Sequence, residues 1–311
     1  MRYLATIFML LLPVTLGACE QDTGSDVSVE AEIAAPFESD YFSVMTVGSG
    51  PDVILVPGLA SSASVWDGTV AALEGGYTFH IVQVAGFAGA PARGNQGNDN
   101  ILDDLATDLS IFSEQFEAPP ALVGHSLGGL VSLKAALKPN ANFERLVIVD
   151  VLPFFSVLMD PEATVESIAP VSAMMKATLL AQSDEVFSDR QAEALSALTK
   201  DEADIERALQ WSIESDRGVM AQAMSEVLVT DLRSEVHAIS VPTTVVYAKD
   251  DAIPNMTAIE AFYSDLYSVL PNAELIPVED AFHFIMWDQP DAFVSAVKVG
   301  LGAQGLDGDT D

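Results

Sequence analysis

The chain has 311 residues, half of them apolar, which suffices for one large domain with an insertion or for two small ones. Only 13 Lys and Arg stand against 46 Asp and Glu, and the formal net charge of -33 repels phosphate backbones and leaves no basic patch to meet them, which excludes nucleic acid as a partner. A single cysteine excludes a disulfide framework, and the acidity reads as solvated helix faces that suit a salty environment.

The first eighteen residues carry one early positive charge, Arg2, and an apolar run from Leu4 to Leu16, the pattern of an export signal. The run ends in Leu16-Gly17-Ala18-Cys19, which resembles a bacterial lipobox. That resemblance implies cleavage before Cys19, lipidation of its thiol and a globular part held at a membrane of the bacterial cell envelope, in the periplasm or outside the cell. Glu20 to Ala35 is acidic and poor in large apolar groups, so residues 19–36 read as a tether. No second run of about twenty apolar residues follows, so nothing else is expected to span a bilayer.

From residue 53 onward strand-like and helix-like segments alternate, which predicts an α/β domain: a mainly parallel sheet flanked by helices on both faces. Val53 to Val56, His80 to Val84, Ala121 to Val123, Leu146 to Val149 and Thr243 to Tyr247 are short, apolar and mostly β-branched, and each runs into a loop rich in Gly, Pro or Asp. A final short strand is expected around Leu275. In open sheets of this kind, ligands gather beyond the carboxyl ends of the strands, so functional residues are sought just after these runs.

After the third run stands Gly124-His125-Ser126-Leu127-Gly128-Gly129. Leu102, Leu105, Leu109, Phe112 and Phe116 repeat at helical spacing before it, and an Ala- and Leu-rich helix follows as far as Pro139. A strand that breaks into G-x-S-x-G and then a helix presents its serine at a sharp corner, where neighbouring Cβ atoms would collide. Ser126 is the candidate nucleophile. Between Asp150 and Val241 the alternation stops, and helical stripes of Met, Ala and Leu read as an inserted cap over residues 151–240, between core segments 37–150 and 241–311. Phe154, Phe155, Met159, Met174, Met175, Met220 and Met224 are candidate linings of an adaptable apolar pocket.

A serine needs a base, and the base needs an orienting acid. Of four histidines, His125 adjoins the serine with its side chain expected to aim elsewhere, His80 opens a strand and His237 lies in a linker. His283, just after the final strand, is the expected base and fits the chain order Ser, acid, His. For the acid, Lys249-Asp250-Asp251-Ala252-Ile253-Pro254 offers two carboxylates after the strand Thr243 to Tyr247. Asp250 is preferred, with Asp251 the neighbouring choice and Asp150, after the strand Leu146 to Val149, the weaker alternative. Oxyanion donors are expected from the amide of Leu59, in the loop Val56 to Ser62, and from the amide of Leu127, at the positive end of a helix.

With PGLASS at 57–62, GHSLGG at 124–129, YAKDD at 247–251 and HFIMWDQP at 283–290, the chain resembles the α/β-hydrolase superfamily over nearly everything after residue 42. The resemblance implies a capped α/β-hydrolase fold, a triad of Ser126, Asp250 and His283, and oxyanion amides from Leu59 and Leu127. Two departures are visible. Pro57 stands where the family commonly has His, and Val84 to Gly89 stands where it has a charged D-x-x-G-x-G loop, which makes the pocket mouth near Phe87 more apolar. The expected activity is hydrolysis of small apolar carboxylic esters through an acyl-enzyme, without metal or other cofactor. Lactones, amides, C–C bonds next to a ketone and a non-catalytic ligand-binding role in the envelope are the competing expectations.

Overall fold

The computed structural model describes residues 37–253 and 255–302. The expected signal segment, Cys19 and the acidic tether lie outside the described residues. Seven strands form one sheet: β1 (Phe42–Gly48), β2 (Asp52–Val56), β3 (Thr78–Val84), β4 (Ala121–His125), β5 (Arg145–Val149), β6 (Thr243–Lys249) and β7 (Ala273–Glu279), in the order β1-β3-β2-β4-β5-β6-β7. Every pairing is parallel except β1 with β3.

The central strands are continuous apolar runs because both of their faces are covered, and the period of two sorts their side chains into two cores. Ile54, Leu122, Ile148 and Val245 pack on one face with α2 (Ile101–Ser113) and α3 (Leu127–Ala136), which follows α1 (Asp67–Ala72) in the chain. Val53, Leu55, Val123 and Val147 pack on the other face against Trp66, Phe293 and Val297. β1 escaped the sequence reading because it is an edge strand whose residues alternate between covered and exposed, with only Phe42 fully buried.

Four helices, α4 (Val165–Ala181), α5 (Asp184–Leu195), α6 (Glu202–Glu214) and α7 (Arg217–Val229), lie between β5 and β6. Each begins on a polar side chain that accepts a backbone amide of its first turn: Thr164, Ser183, Asp201 and Asp216. Such caps contribute about 1 kcal/mol each and define where these short helices start. The insert is also tied to the core by one carboxylate: Glu226 of α7 accepts the amides of Ile101 and Leu102 at 3.0 and 2.8 Å, at the free, positive end of α2. The chain closes with α8 (Met256–Tyr267), the short α9 (Ile285–Asp288) and α10 (Pro290–Gly300). Among the described residues no helix is long and apolar enough to cross a membrane.

Candidate active site

β4 runs into α3 through Ser126, whose φ of 54° and ψ of -122° lie where a non-glycine residue stores strain, of order 1–3 kcal/mol. The corner survives because its neighbours hold it. Ser126 donates its amide to the Val149 carbonyl on β5 at 2.8 Å, and Leu130 donates to the Ser126 carbonyl at 3.0 Å. The glycines are steric necessities: a Cβ on Gly124 would sit 2.3 Å from the Gly128 carbonyl oxygen, and one on Gly128 would sit 2.4 Å from that of Val56. The G-x-S-x-G reading of a strained elbow therefore has a direct structural counterpart.

His283, in the loop between β7 and α9, points Nδ1 at Oδ2 of Asp150, 2.7 Å away. Asp150 follows β5 in a left-handed conformation with φ of 51°, which an aspartate tolerates better than most residues. Its other oxygen accepts from the Ala248 amide at 2.9 Å and from the Tyr263 hydroxyl at 3.1 Å. Burial pushes this carboxyl up, but the hydrogen bond and charge of His283 together with the Ala248 amide outweigh burial and hold it below the ordinary carboxylate value. Asp150 is thus kept ionised and aimed.

Asp250, the preferred acid of the sequence reading, is not the partner of His283. Lys200, between α5 and α6, donates its ammonium to Asp250, whose other oxygen caps the turn at the Ala252 amide, 2.7 Å away. Asp251 lies exposed on the same turn. The physical reason lies in the strand order: β5 is the direct neighbour of β4, so a carboxylate after β5 starts about one strand spacing, ~4.8 Å, from the elbow, and one after β6 starts twice as far.

His125 also departs from expectation, for its ring lines the cavity and packs 4.6 Å from that of His283. Its Nε2 faces the His283 carbonyl at 3.0 Å and so carries the proton, leaving Nδ1 as a buried acceptor without a partner among the described residues. Burial first, and then the charge of His283, lowers its pKa to about 3, so the ring is neutral. Sequence reasoning missed this strut between the elbow and the His283 loop. It also missed Tyr263, which no local motif marks, and Asp288, which accepts from Thr199 Oγ1 at 2.8 Å and from the Phe282 amide at 2.7 Å and so ties the His283 loop to the insert.

Ser126, His283 and Asp150 share one cavity of about 280 Å³ between the strand ends and the inserted helices. Leu59 and Leu127 line it too. The Leu127 amide opens α3, where the first amides of a helix have no partner within it, and the Leu59 loop closes on the elbow: a Cβ on Gly58 would lie 3.2 Å from Ser126 Cβ. Of the proposed pocket residues, Phe155, Met220 and Met224 line this cavity. Phe154 is fully buried in the core, Met175 packs against it, and Met159 and Met174 face solvent. Phe87 is likewise fully buried and is no part of the cavity lining. A wider groove of about 790 Å³ at the amino ends of the strands, beside Arg145 and Lys298, contains none of these candidate residues.

The model of the Alpha/beta hydrolase family matches residues 53–296. The chain belongs to the α/β hydrolase family. This α/β hydrolase is similar to a pimeloyl-[acyl-carrier protein] methyl ester esterase of Aeromonas salmonicida (strain A449), 28% identical over 265 residues that cover 84% of this chain and 99% of that protein. A protein of the same description from Nitrosomonas europaea is 27% identical over 260 residues, covering 81% and 96%. Among solved structures, a hydrolase from Pseudomonas aeruginosa PA01 superposes with a TM-score of 0.67 at 22% identity, covering 84% of this chain and 94% of that one. An enol-lactonase from Burkholderia xenovorans LB400 does so with a TM-score of 0.67 at 18% identity, covering 84% and 96%. At those identities the structures speak for the fold alone.

Proposed function

We propose that this α/β hydrolase cleaves small, uncharged carboxylic esters through a triad of Ser126, His283 and Asp150. The observation that carries the reading is the shared cavity in which a strained serine elbow meets a histidine already oriented at Nδ1 by an ionised carboxylate. His283 Nε2 takes the Ser126 hydroxyl proton as Oγ bonds to the ester carbon, and the negative charge on the carbonyl oxygen is met by the amides of Leu59 and Leu127. The C–O bond then breaks, the alcohol leaves with the proton from His283, and water, deprotonated by the same ring, releases the acid and restores the serine. The apolar lining, the small volume and the similarity to proteins named methyl ester esterases support a short acyl chain and a small alcohol.

The test is hydrolysis of p-nitrophenyl and methyl esters of rising chain length by the wild type and by Ser126→Ala. Wild-type turnover that falls by about 10⁴-fold or more in the variant supports the serine mechanism. Turnover that survives unchanged in the variant refutes it.

We infer further that the protein is exported and anchored by a lipid on Cys19, a reading supported by the apolar run Leu4 to Leu16 and by Leu16-Gly17-Ala18-Cys19. Mass spectrometry of the N-terminal peptide is expected to show a diacylglyceryl-modified Cys19, and Cys19→Ser is expected to move the protein from the membrane fraction to the soluble one. An unmodified, uncleaved N-terminus overturns this.

A further inference from the structure

We propose that Gln191 and Ser212, on the insert side of the cavity, form a polar subsite that recognises an uncharged hydrogen-bonding group on the acyl part of the substrate, such as a ketone, hydroxyl or amide. The inference rests on the ester reading above and names the substrate class of that site. Gln191 lies on α5 one turn before Leu195, and both side chains line the cavity, so they share one helix face. Ser212 lies on α6 and is 5% exposed, while Gln191 is half-buried.

Two polar side chains close to them in the insert are satisfied within the protein. Ser215, three residues after Ser212, donates to the Trp211 carbonyl at 2.8 Å, and Gln210 donates to Glu214 at 2.7 Å. Among the described residues neither Gln191 nor the Ser212 hydroxyl makes such a bond. Both groups are therefore free to bond a ligand group, and a neutral hydrogen bond of this kind contributes about 0.5–1.5 kcal/mol. The remaining insert-side lining, including Leu195, Leu198, Met220 and Met224, is apolar, so these two groups are the hydrogen-bonding features that face a bound acyl chain from that side.

The charge of the group follows from the same lining. It contains no Lys or Arg, its one carboxylate is Asp150, and the net charge of the chain is -33. A carboxylate or phosphate would enter an apolar, anion-repelling space without a counter-ion, whereas a neutral carbonyl or hydroxyl needs only the amide and hydroxyl offered. A volume of about 280 Å³, at the small end for ligand pockets, restricts the acyl part to a short chain.

The experiment compares kcat/KM for methyl hexanoate, methyl 5-oxohexanoate and monomethyl glutarate, which differ in the end of the acyl chain, in the wild type and in Gln191→Leu and Ser212→Ala. The wild type is expected to prefer the keto ester over the plain one by roughly 2- to 13-fold, the span of one neutral hydrogen bond, and to be slowest on the anionic half-ester. Each variant is expected to lose that preference, so that its kcat/KM for the keto ester falls to about that for methyl hexanoate. Preference for the half-ester, or variants that slow all three substrates equally, overturns the proposal. If the wild type cleaves none of the esters, the ester reading fails separately, and calorimetric binding to Ser126→Ala still judges the subsite. Tighter binding of the keto ester than of the plain one, abolished by Gln191→Leu, upholds it, and equal binding overturns it.

Discussion

Two aspartates close neighbouring strands of one sheet, Asp150 after β5 and Asp250 after β6, and their side chains are almost equally covered, 13% and 12% exposed. They have opposite surroundings. Asp150 receives the His283 ring, a backbone amide and a tyrosine hydroxyl, all fixed by the core, while Asp250 receives a lysine on a flexible stem and caps its own turn. Coverage alone therefore does not distinguish the two. What separates the two is whether the partners are rigid and whether one of them is a histidine that lines the serine's cavity.

The sharpest way to break this comparison is to neutralise each aspartate in turn. Asp150→Asn keeps the shape but turns an acceptor into a donor against His283 Nδ1, favouring the wrong tautomer, and kcat for ester hydrolysis is expected to fall by about 10³–10⁴-fold. Asp250→Asn is expected to leave kcat within about threefold. Steady-state kinetics on one p-nitrophenyl ester decides between them, and a large loss in Asp250→Asn with Asp150→Asn active would return the acid to the β6 loop.

Next in size is an effect on stability that reaches the same histidine from the other side. With its pKa lowered to about 3, His125 is neutral in the folded protein and takes up a proton on unfolding at any pH between that value and its ordinary one near 6.5. Its contribution to stability is thus complete above about pH 6.5 and is lost as pH falls toward 3, at up to about 1.4 kcal/mol per pH unit. Denaturant unfolding of the wild type and of His125→Gln between pH 7 and pH 4 is expected to show the steeper decline in the wild type. Parallel declines would mean that the buried ring does not titrate as its surroundings require.

The sequence made much of this legible, and for identifiable reasons. Ser126 could be read because a strained corner demands small neighbours, and Gly124 and Gly128 are that demand written in residue types. The central strands could be read because burial on both faces leaves continuous apolar runs, as in Val53 to Val56 and Leu146 to Val149. The carboxylate beside His283 could not, because both candidate loops end a strand in aspartate, and the choice depends on how the His283 loop folds back toward the elbow. That path is set by contacts remote in sequence: the Phe284 amide on the Leu198 carbonyl, Asp288 on Thr199, and His125 on the His283 carbonyl. Pocket lining was only partly legible for a related reason, since Met and Phe stripes on an insert look alike whether they face the cavity, as Met220 does, or solvent, as Met174 does.

A finer cut through the comparison removes one partner of Asp150 and leaves the carboxylate itself intact. Tyr263→Phe deletes a single hydrogen bond, made by a ring that stacks 4.4 Å from Tyr247 and is fully buried on that side. The packing stays, so stability is expected to fall by only about 1.5–3 kcal/mol, the range for a hydrogen bond to a charged acceptor. The Ala248 amide still holds the same oxygen, so kcat is expected to fall by less than tenfold, far less than in Asp150→Asn.

The smallest effect belongs to the other aspartate. Lys200→Met removes the ammonium from Asp250 and from the Asp280 carbonyl, while the Ala252 amide continues to hold the Asp250 turn. An ion pair of a half-exposed lysine contributes about 0–1 kcal/mol, less in high salt, so the midpoint of denaturant unfolding is expected to move slightly and kcat not at all. A fall in kcat comparable to that of Tyr263→Phe would show that the lysine steers the His283 loop through Asp280, and the two carboxylates would then belong to one connected network.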